Sequence, residues 1–378
     1  MAESQPVVPS PSLYDLTPAE LESFFLSIGE KAYRAKQALD FLYRHPSSPA
    51  PSFEAFTTFP GELRRRLSET VRLAPLTLRA TVESPDGAVK HAYEVQGRGD
   101  VLLESVWMPA ESTDVGSLDD VKQSRHAFAP GKRENGRRTL CVSSQLGCAA
   151  GCVFCATGSM GLRGQLTAGE IVYQVIHCLI LYGRLPDAVL FMGMGEPMHN
   201  FEAVRAAVEI LTHPDAVGFS QRRIVMSTAG ELERLGAFHR RFPRVRMAIS
   251  LNAGTDDLRR RLMPINERFN LEAVSAFISF IDLARGERVT IEYVVLGGLN
   301  DTPEQTRALV GFLKPLARRV KVNLIPYNPV KGRQFTSPAN EKVRLIQQKL
   351  REIGLRAFIR RNRGRGAAAA CGQLAGGS

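Results

Sequence analysis

The sequence has no run approaching 18 apolar residues, so no membrane-spanning helix is expected. Its longest apolar helical stretch, IVYQVIHCLILYG, is interrupted by Gln174 and His177. The opening residues MAESQPVVPSPSLYDL lack a basic segment followed by an apolar one, so no signal peptide is expected. No heptads are present, and a monomer is expected. Cysteine is scarce: six in 378 residues is no disulfide scaffold. Yet three of the six crowd into residues 148–155, which points to metal or redox chemistry in a reducing compartment, and so to the cytoplasm. Acid is outnumbered, with 38 Asp and Glu against 49 Lys and Arg. The net charge of +11 reads as a solubility charge or as an anionic partner, nucleic acid first.

Local signals divide the chain. Residues 1–14 are rich in Pro and Ser and expected to be disordered. Thr17, Pro18 and Glu20 form a helix start, and Gly29 breaks the following pattern into two short helices. PGELRRRLSE is a further helical patch. TLRATVE, HAYEV and VLLESVWM alternate as strands do, with Asp86-Gly87 as a turn. Residues 15–109 therefore read as a small α+β accessory unit. Residues 110–138 are polar and read as a linker.

From 139 a repeat begins. TLCVSS, AVLFMG, RRIVMST, VRMAISL, RVTIEYVVL and KVNLIPY read as buried strands, each followed by a helical stretch. Six β-then-α units imply a parallel sheet over 139–353, either doubly wound or a partial barrel, with a strand and tail after 354. Both folds place chemistry at the C-terminal strand ends. The motifs CVSSQLGCAAGCVFC, GMGEP, STAG, LNAG, GGLND and YNP all fall there.

CAAGCVFC sets Cys148, Cys152 and Cys155 in a C-x3-C-x2-C pattern. A structural zinc would need a fourth ligand, which His199 or Cys141 could supply. A 4Fe–4S cluster usually takes four cysteines; three leave one iron open to a ligand. The spacing after the first strand of a parallel barrel resembles the radical S-adenosylmethionine (SAM) enzymes, whose open iron binds the amino and carboxylate groups of SAM.

TLCVSSQLGCAAGCVFCATG, LFMGMGEPMHN, RRIVMSTAG, LMPINERFN, VTIEYVVLGGLND, VNLIPYNP and ACGQLAG occur in that order. Together they resemble the RlmN/Cfr family of rRNA adenine methyltransferases, over about residues 15–377. The resemblance implies an α/β fold: a partial (β/α)6 radical SAM barrel with a small N-terminal domain and a tail carrying a reactive cysteine. GMGEP rather than GMGEA favours methylation of adenine carbon 2 over carbon 8. By resemblance, Cys371 takes a methyl group from one SAM and a radical from a second SAM removes a hydrogen from it. The carbon then adds to adenine, and Cys141 resolves the adduct through a transient disulfide with Cys371. Glu104 matches the family's proton acceptor. Gly195, Glu196, Ser227, Ser250, Leu251, Asn252 and Asn328 match its SAM contacts, and Phe154 would pack near the SAM adenine. The implied cofactors are a 4Fe–4S cluster on Cys148, Cys152 and Cys155, and two SAM per turnover. The implied partners are 23S rRNA, protein-free or early in assembly, with tRNA as a second substrate, and an electron donor such as flavodoxin or ferredoxin.

The chain departs from the family pattern in places. RGRGAAAAC replaces acidic residues before Cys371, and Asn252 stands where the family commonly has histidine. Three basic runs read as phosphate contacts: ELRRRL (62–67), RRRL (259–262) and the arginines from Arg351 to Arg365. A carbon-8 methyltransferase and a non-catalytic metal-containing RNA-binding protein remain as alternatives.

Overall fold

The computed structural model describes residues 11–45, 52–109, 137–360, 364–368 and 372–375. Cys371, and nearly all of the expected 110–138 linker, lie outside the described residues. The chain opens with helices α1 (Pro18–Ser27), α2 (Tyr33–Arg44) and α3 (Gly61–Thr70). Thr17 and Glu20 cap α1 reciprocally, each side chain accepting the other's backbone N–H. Gly29 separates α1 from α2 at φ +81°, a left-handed position that suits glycine. One expectation fails just upstream. Residues 11–14, read as disordered from their Pro and Ser content, are folded in. Leu13 and Tyr14 are fully buried, and the Tyr14 hydroxyl donates to the Leu42 carbonyl at 3.1 Å. Two large apolar side chains outweigh the polar composition around them.

Three strands follow as an antiparallel meander: β1 (Leu76–Glu83), β2 (Val89–Val95) and β3 (Leu103–Met108). Gly87 turns β1 into β2 at φ +79°. The rest alternates: β4 (Thr139–Val142), β5 (Gln145–Cys148), α4 (Ala156–Ser159), β6 (Gly161–Gln165), α5 (Ala168–Tyr182), β7 (Ala188–Phe191) and α6 (Phe201–Thr212). Then come β8 (Ile224–Thr228), α7 (Leu232–Arg241), β9 (Arg246–Ser250), α8 (Asp256–Leu262), α9 (Leu271–Phe280) and β10 (Val289–Val295). Last are α10 (Pro303–Leu313), β11 (Val320–Pro326), α11 (Asn340–Glu352) and β12 (Arg356–Ile359).

Ten strands form one sheet in the order β1-β2-β3-β4-β7-β8-β9-β10-β11-β12. From β4 to β12 every neighbouring pair is parallel. The spatial order follows the chain order without reversal. A doubly wound sheet reverses at a switch point, whereas a (β/α) barrel does not. The six expected strands are all present, with β12 as a seventh. The meander is not a separate layer: β3 pairs antiparallel with β4 and extends the barrel sheet. β5 and β6 form their own hairpin, which the sequence pattern did not suggest.

Helix α5 seals the meander against the barrel. Gln174 and His177, the two interruptions in its apolar run, are both buried and both partnered. The Gln174 amide exchanges two hydrogen bonds with the Ser143 backbone, at 2.9 and 3.0 Å. His177 Nδ1 lies 3.1 Å from the Tyr93 hydroxyl, and His91 Nε2 lies 2.6 Å from that of Tyr182. Burial pushes the His91 imidazole down to about 3 and that of His177 to about 4. Among the described residues no helix is long and apolar enough to cross a membrane.

Candidate functional site

The loop after β4 is held by the β5–β6 hairpin, in which Cys148 pairs with Gly161. Gly147 sits at φ +71°, and a Cβ there would lie 1.9 Å from the Gly161 carbonyl oxygen, so no side chain fits. Between the two strands run Cys152, Cys155 and α4. The Ala150 N–H donates to Cys148 Sγ at 3.4 Å. Burial pushes the Cys148 thiol up to about 12, and burial together with the neighbouring thiols also raises that of Cys152. The three sulfurs are within electrostatic reach of one another. Among the described residues no three His, Cys, Asp or Glu side chains converge as ligands of one metal ion. A four-iron cluster is wider than a single ion and holds its thiolates further apart. Thiols this desolvated need a strong local positive charge to ionise, which a bound metal supplies. His199, a candidate fourth zinc ligand, faces Glu231, with Nε2 4.0 Å from its carboxylate.

The other candidate residues line the same end of the barrel. After β7, Gly195 takes φ +98°, and a Cβ there would come within 2.5 Å of Gln145 Cβ. The close approach lets Gln145 Oε1 accept the Glu196 N–H at 2.7 Å. Glu196 is buried, and its carboxylate accepts the Met198 N–H at 3.0 Å and the Ala229 N–H at 2.6 Å. Burial nevertheless pushes its carboxyl up to about 7. Ser227 and Ser250 are half-buried at the C-terminal ends of β8 and β9. Leu251 is buried, and its N–H donates to the Glu292 carbonyl at 2.9 Å. Asn252 takes φ +59°, a left-handed conformation that asparagine tolerates better than most residues. Its side-chain oxygen accepts the Val294 N–H at 2.8 Å, and its carbonyl accepts from Asn300 at 2.8 Å. Asn252 thus shapes the loop. Asn328 is buried after β11, and Phe154 packs in an apolar group with Ala253, Leu296 and Tyr327.

Arg259 corrects one reading. Taken from the sequence as part of a basic RNA-binding patch, it is fully buried. Nε donates to the Leu251 carbonyl at 3.2 Å, and Nη1 to Asn266 Oδ1 and the Phe269 carbonyl at 2.8 and 2.7 Å. Nη2 donates to the Ala229 and Ser250 carbonyls at 3.0 and 3.4 Å. All five guanidinium donors are used in tying the β8 and β9 loops to each other and to residues 266–269, and none is left for phosphate. Arg260 is more exposed but lies 2.7 Å from Glu267. In the sequence Arg259 was hidden inside a charge run. Its only signal was the spacing from Leu258 and Leu262, which buries one face of a short helix.

Cys141 lies on β4 opposite Val106 of β3. It packs against an apolar cluster that includes Val106, Met194, Ala367 and Leu374. Ala367 and Leu374 bracket position 371, itself outside the described residues. The tail around it is pinned at several points. The Gly364 N–H donates to Asp86 at 2.8 Å, and the Ala156 N–H, next to Cys155, donates to the Gly372 carbonyl at 2.8 Å. The Thr157 hydroxyl donates to the Leu374 carbonyl at 2.6 Å, and Gln373 to that of Pro329 at 3.0 Å. Glu104 is buried on β3, where its carboxylate meets Lys90 Nζ at 2.9 Å and accepts the Ala375 N–H at 3.0 Å. Lys90 was not anticipated. Its parity in β2, shared with Ala92 and Glu94, reads as polar, so the sequence carried no clear signal that it is buried.

Comparisons with known proteins agree with this architecture. Residues 142–310 match the radical SAM superfamily, and residues 12–73 match the ribosomal RNA large subunit methyltransferase N-terminal domain. The dual-specificity RNA methyltransferase RlmN of Anaeromyxobacter dehalogenans is 38% identical over 97% of this chain and 92% of its own length. That of Geobacter sulfurreducens is 39% identical over 94% and 90%. The crystal structure of a radical SAM methyltransferase from Sphaerobacter thermophilus superposes with a TM-score of 0.82 at 36% identity, covering 97% of this chain and all of that one. With identity of this order along almost the whole length of both partners, the chain belongs to the RlmN family of the radical SAM superfamily.

Proposed function

We propose that this protein is a SAM-dependent RNA methyltransferase that methylates carbon 2 of an adenosine in 23S rRNA, with tRNA as a second substrate. One observation carries the reading. Glu104, Cys141 and the residues flanking position 371 gather around one apolar cluster, at the barrel end that holds the three clustered thiols. A 4Fe–4S cluster on Cys148, Cys152 and Cys155 would supply the electron that cleaves SAM, and SAM would supply the methyl group and the hydrogen-abstracting radical.

The chain's own residues would do the rest. Glu196 has a buried carboxylate beside Cys148 and suits the SAM ammonium. Gly195, Ser227, Ser250, Leu251, Asn252 and Asn328 would surround SAM, with Phe154 against its adenine. Cys371 would carry the methyl carbon and bond it to adenine carbon 2; Glu104 would take the carbon-2 proton, and the unpaired electron left on the ring would pass back to the oxidised cluster. The Cys141 thiolate would then attack the Cys371 sulfur and break its bond to the carbon. That carbon keeps the bonding pair and gains a proton, and a Cys141–Cys371 disulfide remains to be reduced. We also propose a cytoplasmic monomer served by a flavodoxin- or ferredoxin-type donor. Residues 15–109 would form the accessory RNA-binding unit and 139–353 the core.

The test is anaerobic reconstitution, then assay with labelled SAM and protein-free rRNA. Methyl label at adenine carbon 2, lost in Cys371→Ala, is expected. Label at carbon 8 would favour the Cfr-type reaction. SAM cleavage without methylation would overturn the assignment.

A further inference from the structure

Resting on the reading of Glu104 as proton acceptor, we infer that Lys90 is the residue that positions it, and that the docked tail masks the oxygen that takes the proton. The sheet register places the groups. Ala92 of β2 faces Glu104 of β3, Lys90 faces Val106, and Val106 faces Cys141 of β4. Residues directly opposite one another across antiparallel strands point to the same side, and alternate residues along a strand share a side. Lys90, Glu104, Val106 and Cys141 therefore share one face of three adjacent strands, beneath Ala367 and Leu374.

Lys90 is 5% exposed and Glu104 1% exposed. A buried ion pair is weak evidence for stability, because apolar residues of similar size often serve as well. This pair does what an apolar pair could not. Lys90 Nζ lies 2.9 Å from Oε1 of Glu104 and supplies the countercharge a buried carboxylate needs. With Oε1 anchored, Oε2 is turned to the tail, where it accepts the Ala375 N–H at 3.0 Å. The oxygen available for a substrate proton is the one the tail amide occupies. Proton acceptance therefore requires the 372–375 segment to give way, and Lys90 keeps the carboxylate aimed and compensated when it does. The step itself is a proton transfer: carbon 2 loses H+ to Oε2.

The experiment compares wild type, Lys90→Met and Lys90→Arg as full-length reconstituted proteins. Three quantities are read: the kcat and KM of RNA methylation, release of 5′-deoxyadenosine, and amide hydrogen exchange in the peptide containing Ala375. For Lys90→Met, kcat is expected to fall at least about tenfold, toward the ~10²–10⁴-fold contribution of an acid–base group. Its KM for RNA and its SAM cleavage should hold, and the Ala375 amide should exchange faster. Lys90→Arg should recover most of the rate and the slow exchange. Wild-type kcat in Lys90→Met would overturn the inference. So would an equal loss in both variants together with faster exchange throughout the chain, which would mark a structural pair. If wild type methylates no adenosine, the proposed function fails on its own account. The exchange of Ala375 then decides the Lys90 contact separately, and unchanged exchange in Lys90→Met overturns it.

Discussion

The pentapeptide LRRRL occurs twice, at residues 63–67 and 258–262, and the two copies have opposite fates. In both, the flanking leucines are buried. On α3 the arginines lie at the surface and are neutralised locally. Arg65 meets Glu62 and Glu69, each at 2.8 Å, Arg64 lies 3.5 Å from Glu54, and Arg66 lies 3.7 Å from Glu30. On α8 the first arginine turns inward and spends all five donors on loop oxygens. The difference lies in what the helix packs against. An exposed helix face needs only solvent or an i,i+4 partner. Loops that end parallel strands leave carbonyls with no sheet partner, and a buried guanidinium satisfies several at once.

The strongest way to break the comparison is Arg259→Met. It should strand several buried carbonyls and cost about 3–5 kcal/mol of stability, with loss of SAM binding; denaturant unfolding and a SAM titration check both. A methionine variant as stable as wild type would mean that the loops hold without the guanidinium. The same contrast of burial separates the histidines. His45 is exposed beside Asp40, whereas His91 is fully buried. Because the folded His91 pKa lies near 3 and the unfolded one near 6.5, the unfolded chain binds the extra proton between them. Stability should therefore fall as pH drops from about 6.5 toward 3, by about 4–5 kcal/mol. Replacing His91 with Phe should reduce that slope and leave the part due to His177, whose imidazole burial also lowers, to about 4, whereas His45→Ala should leave it unchanged; acid titration of unfolding reads both. Arg259→Lys sharpens the comparison further. It keeps the charge but loses the fork, and should weaken SAM binding about tenfold while the fold survives. Smallest of all, Arg65→Ala should leave the melting transition where it was, because its ion pairs are exposed. A large shift there would put the two copies on the same footing.

The parallel core was legible because its strands are continuous apolar runs between helices with clear caps, such as Thr167 with Glu170 and Thr302 with Gln305. The loop that carries Cys148, Cys152 and Cys155 stood out in the sequence by their spacing. The β5–β6 hairpin was not: QLGC and GLRGQ are short, glycine-bearing and without alternation, and their pairing depends on the backbone approach at Gly147. Arg259 and Lys90 escaped for a different reason. Charge predicts the surface unless a partner is known, and their partners lie on other elements. Leu13 and Tyr14 escaped because composition was averaged over a segment in which two residues carry the packing.

The order in which the molecule is completed follows from the tail. Thr157 and Leu374 are 217 positions apart, Glu104 and Ala375 are 271 apart, and Gly364 and Asp86 are 278 apart. Contacts of such long sequence separation form late, after the elements they join. On a chain made from its N-terminus, the meander, the loop after β4 and the barrel strands exist before residues 364–368 and 372–375 can reach them. The barrel mouth is thus closed late, and a nascent chain can hold every strand of the sheet while the tail contacts to Asp86, Glu104 and Thr157 are still unmade.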